Sequence, residues 1–231
     1  MKRRIVTLIG LLFIVIGIVM LSLPKMAEYN INNHVTRVDD MYHTLDSNQL
    51  RSNVESEAEF DFSAIDDISP TDTFFDPANL DSNLVLGQIV IPSIDVQLTI
   101  FKGITNQILN AGVGTMKENQ TMGKSNYSLA GHYTHSGQLF GRLEELNIGD
   151  KILLNDKEMI YEYDVYDTLI VPPTAVEMIE DQLAEEHGNA IVSLMNCFYV
   201  DDVNTGDRYF VLGELVGTHP YSEAGVAMNH F

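Results

Sequence analysis

From residue 84 to about residue 216 the sequence predicts a mainly β domain, a barrel or a sandwich. Short apolar or β-branched runs recur at 86–91, 96–101, 128–130, 151–154, 158–171, 191–195 and 209–216. Gly, Pro and Asn separate them, the residues that turn a chain for identifiable steric reasons. Only three short stretches in this region read as helical, near 105–111, 139–146 and 174–186. Regular short strands with turn signals between them are the pattern of closed or stacked β architectures. Before the last of the helical stretches Pro172-Pro173 ends a strand, and Thr174 is placed to cap the helix, with Glu177 three residues on. No internal repeat is present.

The chain of 231 residues suffices for one ordinary domain with appendages. Its start is not part of that domain. Lys2, Arg3 and Arg4 precede residues 5–23, which carry no charge and are closed by Pro24 and Lys25. As a helix this run spans about 28 Å, close to the hydrocarbon thickness of a bilayer. The basic cluster predicts a single-pass signal-anchor with its N-terminus in the cytoplasm and everything downstream exported to the outer side of the cell membrane. A cleaved signal peptide is the competing reading. The long apolar run and the lack of a small-x-small site in Leu21-Ser22-Leu23-Pro24 weigh against it.

Residues 1–25 are therefore read as basic start and anchor, and 26–83 as stalk and acidic linker. Ile31, Val35, Val38, Met41 and Leu45 give a partial helical stripe, which predicts a short amphipathic stalk helix. Residues 54–83 are acidic and rich in Ser, Asp and Pro, the composition of an extended linker. Phe60, Phe62, Ile65, Phe74 and Phe75 are too apolar for a pure spacer and predict that part of the segment folds back onto the domain. The tail, 217–231, reads as weakly ordered.

A formal net charge of -20 argues against a nucleic-acid-binding surface. The single cysteine, Cys197, rules out an intramolecular disulfide. No CxxC or HExxH spacing suggests a metal centre, and no cofactor is expected.

Cys197 ends the apolar run 190–195, and Arg208 opens the next strand-like run after a polar connection at 201–207. A hairpin here holds a thiol and a guanidinium on neighbouring strands facing one site. His132 ends the short strand 128–130, after the small residues Ala130 and Gly131, which let other backbone approach closely. A lone cysteine is more often a buried small hydrophobe, and a strand-end histidine more often structural. Together with the arginine they form the set that thiol-based acyl transfer requires: a thiolate nucleophile, an imidazole to manage protons, and a cation for the oxyanion.

These residues resemble the sortases, cysteine transpeptidases of Gram-positive bacteria. The resemblance runs from about residue 86 to residue 216. It is carried by GQIVIPSIDVQLTIFKG, by NYSLAGH ending in His132, by LFGRLEELNIGDKI, and by Cys197 and the strand opening at Arg208, with 65 positions between His132 and Cys197 and 11 between Cys197 and Arg208. It implies a closed barrel of about eight strands with short helices and a class A, housekeeping-type enzyme. It further implies a surface protein bearing an LPXTG-like sorting signal as donor, cleaved between Thr and Gly through a thioester, and a peptidoglycan-precursor amine as acceptor. His132, Cys197 and Arg208 are the catalytic residues so implied, with Ala130, Leu194 and Asn196 in the substrate-binding wall.

The chain also departs from the family pattern. Where sortases usually read Thr-Leu-x-Thr-Cys, this chain reads Ser193-Leu194-Met195-Asn196-Cys197, so a larger amide stands beside the nucleophile. Some class A members bind calcium through acidic residues before the histidine strand. Lys117 and Lys124 in that loop argue against such a site here. Phe74-Phe75-Asp76-Pro77 faintly resembles the lid of pilin-polymerising class C sortases, but the aromatics precede Asp-Pro and no second membrane segment follows the domain. The remaining alternative is a non-catalytic anchored β-barrel binding module with an inert Cys197.

Overall fold

In the computed structural model, which describes residues 2–62, 68, 73 and 80–223, eight strands close into a barrel. They are β1 (Val85–Ile91), β2 (Val96–Phe101), β3 (Val113–Thr115), β4 (Asn126–Ala130), β5 (Lys151–Asn155), β6 (Met159–Val171), β7 (Ile191–Val200) and β8 (Val203–Pro220). Around the barrel the order is β1-β2-β3-β4-β7-β8-β6-β5. The β2–β3 and β4–β7 pairs are parallel and the others antiparallel. Each parallel pair needs a crossover. The first is the short helix α3 (Asn106–Leu109), capped by the Thr105 side chain. The second spans β5, β6 and the helix α4 (Asp181–His187).

The barrel is filled by inward residues of nearly every strand, among them Ile89, Leu98, Leu129, Tyr163, Leu194 and Val211. A second cluster lies outside the wall, where Val38, Tyr42, Leu50, Phe101 and Ala130 are buried together. A third, Met178, Phe210 and Leu212, lies under the segment that leads into α4. The strands thus bury residues on both faces, which is why their sequences read as nearly continuous apolar runs.

The N-terminal region differs from its expected form. One helix, α1, runs unbroken through Lys2–Thr44 with Pro24 inside it, so proline does not close the apolar run. The half beyond Pro24 is not a free stalk, because Ile31, Val38 and Tyr42 are buried against the barrel. The Tyr42 hydroxyl donates to Asn155 Oδ1 at 2.5 Å, and Lys157 Nζ donates to the carbonyls of Tyr42 (2.7 Å) and Leu45 (2.6 Å). A cation on the last free carbonyls of a helix is the favourable end of its dipole. A second helix, α2 (Ser47–Asn53), follows at once behind a capping box of Asp46 and Gln49.

The linker folds back in part, as its phenylalanines predict. Ile104 N–H donates to the Glu59 carbonyl at 2.7 Å, and Phe60 bridges to Ile104. Gly103 makes room: at φ 85° it adopts a left-handed conformation, and a Cβ there would sit 2.5 Å from the Glu59 carbonyl oxygen. Ile65, Phe74, Phe75 and the Asp76-Pro77 pair lie outside the described residues.

Three further elements differ from expectation. The stretch 174–186 is not one helix but a 3-10 turn, Val176–Met178, followed by α4, and neither begins with a side-chain cap, so Thr174 caps nothing. The β7–β8 connection is two residues, Asp201 and Asp202, at φ 49° and 63°. These angles are those of a tight hairpin turn matched to strand twist. Strand β8 also runs on to Pro220, paired with β6 down to Met159, so the first residues of the expected tail are sheet.

Candidate active site

Alternation along β7 assigns each residue to one side of the barrel wall. Val192 and Leu194 belong to the barrel interior, whereas Met195 packs outside, against both outer clusters. Cys197, two residues further on, shares the outer side and is half-buried. In the antiparallel register Cys197 sits directly opposite Arg208, as Met195 does opposite Phe210. Directly opposed residues project to the same face, so thiol and guanidinium share one.

The strand that carries Arg208 is irregular beside it. Register slips between the Cys197–Arg208 and Tyr199–Asn204 pairs, and the extra residues fall on β8 between 204 and 208. Bulges of this kind re-aim side chains. Here Arg208 Nη1 donates to the carbonyls of Gly206 (3.0 Å) and Asp207 (3.2 Å), so the bulge itself holds the guanidinium. Among the described residues Arg208 makes no ion pair, which leaves its charge for an incoming anion.

His132 follows β4 by two residues and is buried. Parallel pairing brings Ala130 beside Met195, and Gly131 N–H donates to the Met195 carbonyl at 3.0 Å. The ring of Phe140 packs on Gly131 so closely that a Cβ there would lie 2.7 Å from it. Phe140 N–H in turn donates to the His132 carbonyl at 3.1 Å.

His132, Cys197 and Arg208 line one cavity of about 440 Å³. Ala130, Met195 and Asn196 line it too, with Ile104, Leu109 and Met116 at one side and Pro172, Val176 and Ile179 at the other. Small clefts with apolar walls and a few convergent polar groups are the usual form of ligand sites. Phe62, from the linker, also reaches this cavity.

Of the residues expected in the substrate wall, Ala130 and Asn196 are there and Leu194 is not. Leu194 is fully buried in the barrel interior, paired with Leu129 and Val211, because its position in the strand period faces it away from the cavity. Met195, its neighbour, is the wall residue. Asn196 is almost fully buried, and its Nδ2 donates to the Phe140 carbonyl at 2.7 Å.

Ser193, where the family pattern has threonine, keeps a working hydroxyl. It donates to Asn126 Oδ1 at 2.8 Å, and Asn126 Nδ2 donates to the carbonyls of Met178 (3.0 Å) and Glu180 (3.1 Å). A buried chain of bonds thereby fixes the cavity's far wall to β4 and β7. The loop expected to lack calcium ligands places Lys117 Nζ 2.5 Å from Asp181 Oδ1, so a lysine neutralises a carboxylate facing it. Among the described residues no three metal-ligating side chains gather. His135 lies on the surface, 3.1 Å from Asp202 Oδ1, beside the stacked rings of Tyr133 and Tyr199.

Sequence reasoning missed Phe140, Met195 and the Asn126 relay, whereas Phe62 is one of the linker aromatics expected to fold back. The only signal for Met195 was strand parity counted back from the cysteine. Nothing local pointed to Phe140 or Asn126, whose contacts with Asn196, Ser193 and Met178 span 52 residues or more.

The family model for the sortase domain matches residues 89–216. Sortase A of Bacillus anthracis is 37% identical over 219 residues, covering 94% of this chain and 97% of that protein. Sortase A of Listeria monocytogenes is 33% identical over 214 residues, 91% of each chain. The crystal structure of Listeria monocytogenes sortase A superposes with a TM-score of 0.57 at 35% identity, covering 64% of this chain and 97% of that one. The outer-face cysteine on a closed barrel and these full-length relatives lead to one conclusion: the chain belongs to the sortase family, in its class A, and is a cysteine transpeptidase.

Proposed function

We propose that Cys197 attacks the Thr–Gly carbonyl of an LPXTG-like sorting signal, with His132 and Arg208 as its catalytic partners. The observation that carries this reading is the cross-strand pairing of Cys197 with Arg208 on the cavity that His132 also lines. In the first half-reaction the thiolate adds to the carbonyl carbon and the C–N bond to glycine breaks. Imidazolium at His132 gives its proton to the departing amine, and a thioester remains on Cys197. In the second, neutral His132 takes a proton from an incoming amine, the new amide forms, and the thiolate leaves. Arg208 stabilises the oxyanion in both steps of this reading, supported by its pairing with Cys197 on the cavity, and its charge persists at any working pH. The apolar flanks, Ile104, Leu109, Val176 and Ile179, suit the leucine and proline of the signal.

The acceptor in this reading is the amine of a peptidoglycan precursor, and the product is a surface protein joined to the cell wall. Residues 84–216 are the catalytic domain, 1–25 cross the membrane with the N-terminus inside, and the domain works outside. Support comes from the apolar start of α1, long and apolar enough to cross a bilayer, behind the basic Lys2, Arg3 and Arg4.

The test uses the full chain in detergent micelles with an LPXTG-type peptide and an amine acceptor. Mass spectrometry is expected to find a thioester on Cys197 and the amide product, both absent with Cys197→Ala. A thioester without the amide would sink the acceptor assignment, and the absence of both would sink the substrate class.

A further inference from the structure

We propose that Asn196 is a positioning residue, which fixes His132 relative to Cys197 through the backbone of Phe140. The inference rests on the catalytic roles proposed for those two residues. Asn196 precedes the nucleophile on β7, and its side-chain nitrogen donates to the Phe140 carbonyl at 2.7 Å across a fully buried gap. Because a carbonyl only accepts, this contact fixes which amide atom faces Phe140. The N–H of the same residue donates to the His132 carbonyl at 3.1 Å. Phe140 is thus held on both sides, by the strand of the cysteine and by the backbone of the histidine, and its side chain is fully buried on Gly131. A second tie, Gly131 N–H to the Met195 carbonyl at 3.0 Å, joins the same two segments one residue earlier on each. Together they make His132 part of β7's frame rather than the tip of a loop.

The amide is suited to this work and a threonine is not. A threonine hydroxyl branches from Cβ, one bond nearer the backbone than the asparagine nitrogen, and does not span the same gap. The donor of Asn196 is also committed to Phe140, so it is not the group that meets a substrate. Its buried Oδ1 has no hydrogen-bond partner among the described residues, an arrangement that costs stability. Retaining such a residue next to the nucleophile is consistent with a geometric task.

The test compares the full chain with Asn196→Ala and Asn196→Thr in detergent, each checked by thermal melting. The expected result is a fall in kcat of about 10- to 100-fold with KM for an LPXTG-type peptide held within about twofold, since a small misplacement of a catalytic group has an effect of this size. A rise in KM with kcat kept would make Asn196 a substrate contact and overturn the proposal. No change in either would overturn it as well. A wild-type chain that turns over no such peptide fails the substrate assignment alone. The positioning role is then read from alkylation of Cys197 by iodoacetamide, expected to slow several-fold in both variants because the nearby imidazolium sustains the thiolate. An unchanged rate would overturn it. One measurement needs no variant: the Asn196 side-chain amide protons of the wild type exchange slowly with solvent if they are bonded as described, and fast exchange would refute the contact.

Discussion

Leu194 and Met195 are neighbours on β7 and face opposite sides of the barrel wall. Leu194 is sealed among Leu129 and Val211 in the interior, while Met195 lines the cavity outside and leads, two residues on, to Cys197. The same division holds on the partner strand, where Val211 faces in and Phe210 and Arg208 face the cavity. One hairpin therefore carries two independent functions in alternate residues. The inner set fills the barrel, and the outer set lines the cavity where the proposed chemistry takes place. Substitutions one position apart should separate stability from activity.

The largest effect belongs to Cys197→Ala. Thioester formation should vanish, while the melting temperature stays within a few degrees because the side chain is half-buried on the outer face. A large loss of stability would mean that the two sides are not independent. Next comes Leu194→Ala, which should cost about 2–5 kcal/mol of stability in urea unfolding, as other truncations of fully buried leucines do. Met195→Ala should cost clearly less stability and act on KM for the peptide instead. Equal stability losses at the two positions would erase the distinction.

Arg208→Ala should lower kcat/KM by about 100-fold, the usual cost of removing one donor from a developing oxyanion, and leave melting nearly unchanged. Arg208→Lys should recover only part of this, since a lysine has no planar fork to bridge the Gly206 and Asp207 carbonyls and the substrate together.

The smallest effect is a pH dependence that reports on the two faces through tyrosines. Burial pushes Tyr127 and Tyr163, both inside, well above the ordinary phenol value. Tyr166, outside and stacked on His187, is pushed up to about 12, chiefly by burial. Above about pH 10 the unfolded chain releases these protons while the folded chain keeps them, so stability should fall as pH rises from there. Melting followed from pH 9 to 12 should show the melting temperature falling, with a further rise in absorbance at 295 nm when unfolding releases the buried phenols. A melting temperature that does not fall over this range would contradict the assignment.

Much of this arrangement is legible in the sequence because strand patterns are local. The runs ending at Ala130 and Met195 and the run after Arg208 place the three groups beside strands, and pairing of β4, β7 and β8 brings them to one cavity, with Cys197 and Arg208 inside strands that run further than the apolar runs suggest. Where the reading failed, the determining contact was remote. Leu194, which the resemblance puts in the substrate wall, is the exception, since local two-residue parity from Cys197 puts it inside. Strand β3, Val113–Thr115, is too short to show an alternation and is defined by its neighbours. The β7–β8 turn is hidden within the polar run 201–207: Asp201 and Asp202 make the turn, Asn204 is already paired with Tyr199, and Gly206 lies in the bulge that holds Arg208. The docking of α1 rests on Asn155 and Lys157, more than 100 positions away in sequence.

That docking also has a kinematic consequence. A domain joined to an anchor by a flexible tether explores a hemisphere, and its reactive cleft meets a partner in the same layer at every angle and height. Here the half of α1 beyond Pro24 is clamped by Ile31, Val38, Tyr42 and Lys157. From Leu23 to Tyr42 it rises about 29 Å as a single rod. Pro24 lies at the foot of this rod, where its ring deletes one helical hydrogen bond without ending the helix. With α1 docked in this way, the cleft is held to the helix that begins in the apolar run, and it does not turn freely as it would on a loose tether. Confinement of this kind raises the local concentration of any reactant held in the same plane as the anchor, without a single added contact.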